Sequence, residues 1–298
     1  MTQKNVLDPK YCTAKNVIRD KPLLVKHSKD KFETLLFLPE GEGRQGEGGL
    51  RTQGYFKSSI EDKPLITVIT VVYNGEQFLE DTILSVINQT YDNVEYIIID
   101  GGSSDGTLNL IHKYEHAIDY WVSEKDNGIY DAMNKGVSLV TGDLVNFMNS
   151  DDIFDDFNVL MRLSSEFNQK EVVLFYGDVK YSNGKRFLSA LSAKTLLHNT
   201  IHHQGAFYRK ELFRLFRYDG SLNISSDYEL NLIIYLQKQF TKSLGFTVSM
   251  CRDGGVSRTF LKKAFLETNI IRKRNVNFIY NILLTSLYTI KFLISLVK

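Results

Sequence analysis

Cysteine is nearly absent from the 298 residues, with Cys12 and Cys251 the only two. Two cysteines cannot build a disulfide framework, and no CxxC spacing offers zinc, so a reducing compartment is expected. Net charge is nearly absent too. Lys and Arg number 36 against 35 Asp and Glu, a formal charge of +1, whereas a chain that works on nucleic acid is normally basic. No nucleic-acid partner is therefore expected. The start of the chain has neither an apolar core nor a cleavage site, so it does not read as a secretory signal, and a cytoplasmic location is expected. There is no internal repeat and no Walker A motif. The run Gly101, Gly102, Ser103, Ser104, Asp105, Gly106 is not GxGxxG and brings an acid where a pyrophosphate would sit, which disfavours a dinucleotide fold.

What is present divides into three zones. Residues 1–63 are polar and irregular, with a Gly/Glu/Arg stretch from Leu38 to Gly49 that reads either as a linker or as an ordered loop over a crevice. Residues 64–260 alternate apolar runs with amphipathic stretches. Residues 261–298 carry basic residues and then an apolar segment. In the middle zone, Leu65 to Val72 and Val94 to Ile99 suit strands buried on both faces of a parallel sheet. Tyr120 to Ser123 and Leu144 to Met148 read as two more strands. Asn74 with Gln77 resembles a capping box for a helix carrying Leu79, Ile83, Val86 and Ile87, and Asp105 can cap a second helix. Repeated βα units predict an α/β, doubly wound, mostly parallel sheet flanked by helices. Ligands bind such sheets beyond the carboxyl ends of the strands.

Polar residues fall at those ends: Tyr73 and Asn74 after the first strand, Asp100 after the second, Glu124 and Asp126 after the third, Asp151 and Asp152 after the fourth. The adjacent pair reads two ways. Its oxygens suit a hard ion, Mg2+ or Mn2+, bridging to a diphosphate, or they lie beside the start of a helix near Asp156 to Glu166.

These residues also fall into motifs. Thr67 to Asn74, Asp100 to Thr107, Glu124 to Gly136 and Asn149 to Asp152 follow one another in the order found in family 2 glycosyltransferases with the GT-A fold, of the bacterial surface-polysaccharide and O-antigen type. His203 to Tyr208, Ser225 to Leu230 and Gly254 to Ser257 resemble later motifs of that family. The resemblance implies a nucleoside-diphosphate sugar donor, often UDP-linked, a hexosyltransferase type of reaction and a Mn2+ or Mg2+ cofactor. It implies donor contacts from Tyr73, Asn74, Asp100, Asp126, Asn134, Lys135 and Asp151. Asp152, with Asp151, would hold the metal, Asp227 would be the general base, and His203 and Gln204 would lie on the acceptor side. Two departures stand out: Met133 replaces a common Arg, with Lys135 offering that charge instead, and the metal motif reads Ser-Asp-Asp. The resemblance is read as an inverting reaction, in which direct attack opposite the leaving group needs only one base.

At the C-terminal end, Arg272, Lys273 and Arg274 precede Ile279, Leu283, Leu287, Ile290, Ile294 and Val297 at helical spacing, with Asn281, Thr285, Tyr288, Thr289, Lys291 and Ser295 mostly on the other side. This predicts an amphipathic helix on the inner face of a membrane, with packing on the domain or crossing the bilayer as alternatives. A glycan or lipid-linked acceptor would follow from the membrane reading. Two rival readings fit the residues less well. A nucleotidyltransferase needs a basic loop where Tyr73, Asn74, Gly75 and Glu76 stand, and a non-catalytic sugar-nucleotide-binding partner subunit would not need acids at 151, 152 and 227.

Overall fold

The computed structural model describes residues 5–253 and 260–297, the last eight by backbone alone. Gly254 to Ser257, matched to a family loop above, lie outside the described residues.

Four parallel strands form the heart of the sheet: β2 (Ile66–Val72), β3 (Val94–Asp100), β4 (Tyr120–Ser123) and β5 (Leu144–Phe147). They stand in the order β4-β3-β2-β5, and every residue of each is buried. This is what continuous β-branched runs predict for strands covered on both faces. Alternate residues of β2 point to opposite layers. Ile66 and Val68 pack with α1 (Leu79–Ile87), while Ile69 and Val71 pack with α3 (Ile129–Ser138). Beyond β5 the sheet continues through β9 (Ala206–Arg209), β7 (Leu174–Tyr181), β10 (Thr241–Cys251) and β6 (Ile153–Phe154), with β8 (Arg186–Phe187) on β7. β9 runs antiparallel to β5 and β7, and β7 runs parallel to β10. The helices α2 (Thr107–Lys113), α4 (Val159–Ser164), α5 (Ser226–Leu236), α6 (Leu261–Asn275) and α7 (Phe278–Val297) complete the layers. The fold is GT-A: a mostly parallel central sheet flanked by helices.

Local expectations are met unevenly. Asp105 does accept the first N–H of α2, from Thr107 at 3.0 Å. Asn74 does not cap α1, which begins at Leu79; it takes φ 50° and turns its side chain to the N–H of Ser104 instead. Asp151 and Asp152 do not cap α4 either. β6 intervenes, and Asp156 meets the N–H of Asn158 there.

The N-terminal zone is not a linker. Gly46–Gly48 forms β1, antiparallel to β4 at the sheet edge. Arg51 meets Glu95 at 2.6 Å, and Lys57 meets Asp119 at 2.8 Å, with all four side chains at most 2% exposed. Arg44 reaches Glu124 at 2.6 Å. Three cations from residues 44–57 thus neutralise three acids of the sheet layer. Breaking a buried pair on one side leaves a charge without compensation. Arg51→Met should therefore lower unfolding free energy by about 3–5 kcal/mol in urea titration. Arg51→Met with Glu95→Gln should recover most of that loss, because Gln still serves Thr67 and Thr141, which hydrogen-bond Glu95.

The C-terminal helices are part of the same body. Glu267 of α6 accepts the N–H groups of Asn223, Ile224 and Ser225 at 2.8–3.0 Å, tying α6 to the turn that leads into α5. Arg272 is fully buried and donates to the carbonyl of Leu197 at 2.7 Å. It is not part of an exposed basic cluster, and Arg274 is engaged with Asp219, which leaves Lys273 exposed. In α7, the described part of the polar stripe faces inward: Asn281 and Leu284 are buried, and Tyr288 stacks on Phe265, while the side chains from Ile290 onward lie outside the described residues. Phe278, Ile279, Ile282, Leu283 and Leu287 face outward at 50–78% exposure. Among the described residues, no helix is long and apolar enough to cross a membrane.

Candidate active site

The carboxyl ends of β2 and β5, the turn after β4, the segment 198–204 and the start of α5 enclose a cavity of about 920 Å3. Tyr73, Asn74, Asp126, Asp151, Asp152, His203, Gln204 and Asp227 all line it. Leu261, Ala264, Thr268 and Tyr288 of the C-terminal helices close one wall.

The donor-side residues divide into contacts and supports. Tyr73 is two-thirds exposed, a free aromatic face at the rim. Asp100 does not reach the cavity: it is fully buried, bound by both Ser103 and Ser123. Its effect passes through Ser103, whose hydroxyl accepts the N–H of Asn74 at 2.7 Å and so fixes the left-handed turn after β2. Glu124 is likewise withdrawn, held by Arg44 and by Lys135 at 2.6 and 2.8 Å. Lys135 is thereby committed to Glu124 and the carbonyl of Lys125. Asn134 spends its amide on the backbone of Tyr218, 2.8 and 2.9 Å away. Neither Asn134 nor Lys135, expected as donor contacts, is among the residues that line the cavity. On α3 the cavity is lined by Ile129, Tyr130 and Ala132 in the first turn, and residues 134 and 135 stand about a turn further along the helix. Asp126 does line it, tucked over Gly101, where a Cβ would come within 2.4 Å of its carboxylate. Partial burial pushes the Asp126 carboxyl above its ordinary range.

Asp151 and Asp152 differ sharply. Asp151 is half-buried and lines the cavity. Asp152 is 3% exposed, and its oxygens accept from Gln204 Nε2 at 2.6 Å and the N–H of Arg252 at 3.2 Å. Burial, and then the neighbouring Asp151, push its carboxyl up to about 6. A buried acid whose charge is so poorly compensated is a place where a cation would be stabilised. Gln204 Oε1 adds a buried oxygen with no partner among the described residues. All these donors are oxygens. No group of three or more His, Cys, Asp or Glu among the described residues could hold an ion unaided. The set fits a hard divalent ion completed by phosphate oxygens, not a closed protein cage.

Asp227 stands in the first turn of α5, 7% exposed. Tyr130 donates to one oxygen at 3.3 Å; Asn199 and His203 meet the other at 2.9 and 3.3 Å. Tyr130, Asn199 and Glu267 escaped the sequence reading. Only Tyr130 carried a signal, its place in the third motif.

Residues 67–226 match the sequence profile described as "Glycosyl transferase family 2". The chain is a family 2 glycosyltransferase. A "PGL/p-HBAD biosynthesis glycosyltransferase" of Mycobacterium bovis is 30% identical over 215 residues, 68% of this chain and 83% of that one. An uncharacterised glycosyltransferase of Rickettsia typhi is 28% identical over 190 residues, 56% and 57% of the two chains. Among solved structures, S. aureus TarS 1-349 in complex with UDP-GlcNAc superposes with TM-score 0.60 at 16% identity, over 75% of this chain and 71% of that one. The mannosyltransferase PcManGT of Pyrobaculum calidifontis, in complex with GDP-Man and Mn2+, gives 0.56 at 16% identity, over 72% and 66%. In this glycosyltransferase the matched segment contains every cavity-lining acid named above except Asp227, which follows its last residue, and neither the N-terminal cations nor α6 and α7.

Proposed function

We propose that this glycosyltransferase moves a hexose from a nucleoside diphosphate, UDP by preference, to a hydroxyl of a glycan or lipid-linked acceptor, with inversion, in surface polysaccharide synthesis. One observation carries the reading: a single cavity holds an adjacent acid pair suited to a cation and diphosphate, and a separate carboxylate ordered by three donors. Asp227 takes the proton of the attacking hydroxyl as the anomeric bond to phosphate breaks. A single base suffices for direct displacement. Asp126 and the turn at Asn74 border the donor, with Tyr73 beside its base. A divalent ion, held by Asp151 and Asp152, would supply Lewis-acid relief of charge on the leaving diphosphate. The UDP preference draws support from the nucleotide bound to TarS, and the metal from that of PcManGT.

The outward face of α7 supports seating on a bilayer. Its apolar side chains project away from the protein, and Lys262, Lys263 and Lys273 are exposed on α6. Each such lysine adds about 1 kcal/mol near an anionic leaflet, screened by salt. The working location is then the inner face of the cell membrane.

Two measurements test this. Hydrolysis of a nucleotide-sugar panel should require Mn2+ or Mg2+ and favour UDP sugars; indifference to a chelator would remove the metal. The protein should cosediment with phosphatidylglycerol-containing vesicles, less so in high salt. Phe278→Ser with Leu283→Ser should abolish sedimentation without changing the melting temperature, since both residues are exposed. A concentration-dependent dimer lost in that variant, with no vesicle binding, would make the face a subunit contact. Deleting α7 is not a clean test, because Leu284 and Tyr288 pack inward.

A further inference from the structure

We infer that His203 and Gln204 are positioning residues that tie the proton-accepting carboxylate to the metal motif. The inference rests on the reading of Asp227 as base.

The two side chains leave one short turn in opposite directions. His203 Nδ1 lies 3.3 Å from Asp227 Oδ2, and its Nε2 lies 3.3 Å from Asn149 Oδ1. Asn149 stands two residues before Asp151. Gln204 Nε2 donates to Asp152 Oδ2 at 2.6 Å. The turn itself is pinned from beneath, because buried Asn146 of β5 donates to the carbonyl of Ala206 at 2.9 Å and also approaches those of His203 and Gln204. β5 therefore leads directly into the metal motif and also anchors the turn that reaches the base. The span between the two chemical centres is set by one strand and one turn, not by the long loop between β8 and β9.

The neighbouring His202 also lines the cavity but is engaged differently. His202 places its ring edge-on to Phe187 at 4.3 Å and bonds the Tyr181 hydroxyl at 2.9 Å. His203 instead aims both ring nitrogens at polar groups lining the cavity. The Asn149 amide can turn its oxygen or its nitrogen to Nε2, so either ring tautomer is accommodated. With the proton on Nδ1, His203 donates to Oδ2 of Asp227. Together with Asn199 it occupies that oxygen and leaves Oδ1, bonded among the described residues by Tyr130 alone, to face the acceptor hydroxyl. A small rotation of the carboxylate would misplace that oxygen, and reaction rates are steep in such displacements.

The test uses the full chain, with transfer and donor hydrolysis measured separately. His203→Ala should lower kcat of transfer about 10–100-fold, the usual effect of losing a group that orients a site residue. KM for the donor should stay within about twofold, since donor contacts are elsewhere. Imidazole added to the buffer should restore part of kcat, because the vacated space opens on the cavity. His203→Gln, which keeps a donor, should retain more activity than His203→Ala. A fall in Asp227→Asn without a fall in His203→Ala would overturn the positioning role while sparing the base. Full transfer by Asp227→Asn would overturn the base itself. A raised acceptor KM with unchanged kcat and no imidazole rescue would make His203 an acceptor contact instead. If His203→Ala does not fold, the kcat and KM of His203→Gln decide, and wild-type values there would overturn the proposal.

Discussion

Asp227→Asn should lose sugar transfer by about 10²–10⁴-fold and keep its affinity for the donor. The substitution removes only basicity. Asn has the same shape, and its carbonyl can still accept from Asn199 and His203 or from Tyr130, which hold the carboxylate now. The Asp227 carboxylate accepts from side chains and not from the first N–H groups of α5, and Glu267 holds the turn before that helix. The fold should therefore survive, with a melting temperature close to that of the wild type. Donor-induced thermal stabilisation, about 2.7 kcal/mol at a hundredfold excess over Kd, should be unchanged. Single-turnover transfer from labelled donor measures the loss. An equal loss of donor stabilisation would move Asp227 to the donor side.

Asp152→Asn should be inactive and yet more stable than the wild type at neutral pH. The folded carboxyl holds its proton up to about 6, against an ordinary value of 3.8. Between those values the folded chain keeps a proton that the unfolded chain has released, so stability falls as pH rises through this window. Above about pH 6 the cost is complete, about 1.4 kcal/mol for each pH unit that the window spans. Asn is neutral at every pH and carries no such cost. The variant should gain about 3 kcal/mol over the metal-free wild type at pH 7.5 by urea titration, and nothing at pH 3.5. Adding Mn2+ should raise the melting temperature of the wild type and leave the variant unmoved. A variant less stable than the wild type at pH 7.5 would show that the Gln204 and Arg252 contacts outweigh the charge.

The parts of this architecture that could be read in advance are those with a local cause. Leu65 to Val72 had to be a doubly covered strand, and Asp151 and Asp152 had to follow one. Asp227, in the first turn of a helix, was visible through its motif. What escaped depends on partners far along the chain. Whether Asp100 faces a ligand or a serine depends on Ser123, and Lys135 is drawn away by Glu124. Tyr130 meets Asp227 across 97 residues. The inward polar stripe of α7 was visible as a pattern but its direction was not, because either face of an amphipathic helix can be the packed one. Tyr288 faces inward because α6 offers it Phe265 and a buried Arg272, whose guanidinium lies 4.9 Å from the Tyr288 ring.

The three N-terminal cations carry a consequence for how such a protein can change. The family profile spans residues 67–226, yet Glu95 and Asp119 inside that stretch have their counter-ions before it, and Glu124 has one of its two there. Grafted alone onto another chain, that stretch would bring buried acids and leave those partners behind. Exchange between members of the family should succeed only where the crossover lies upstream of Arg44, so that acids and cations travel together.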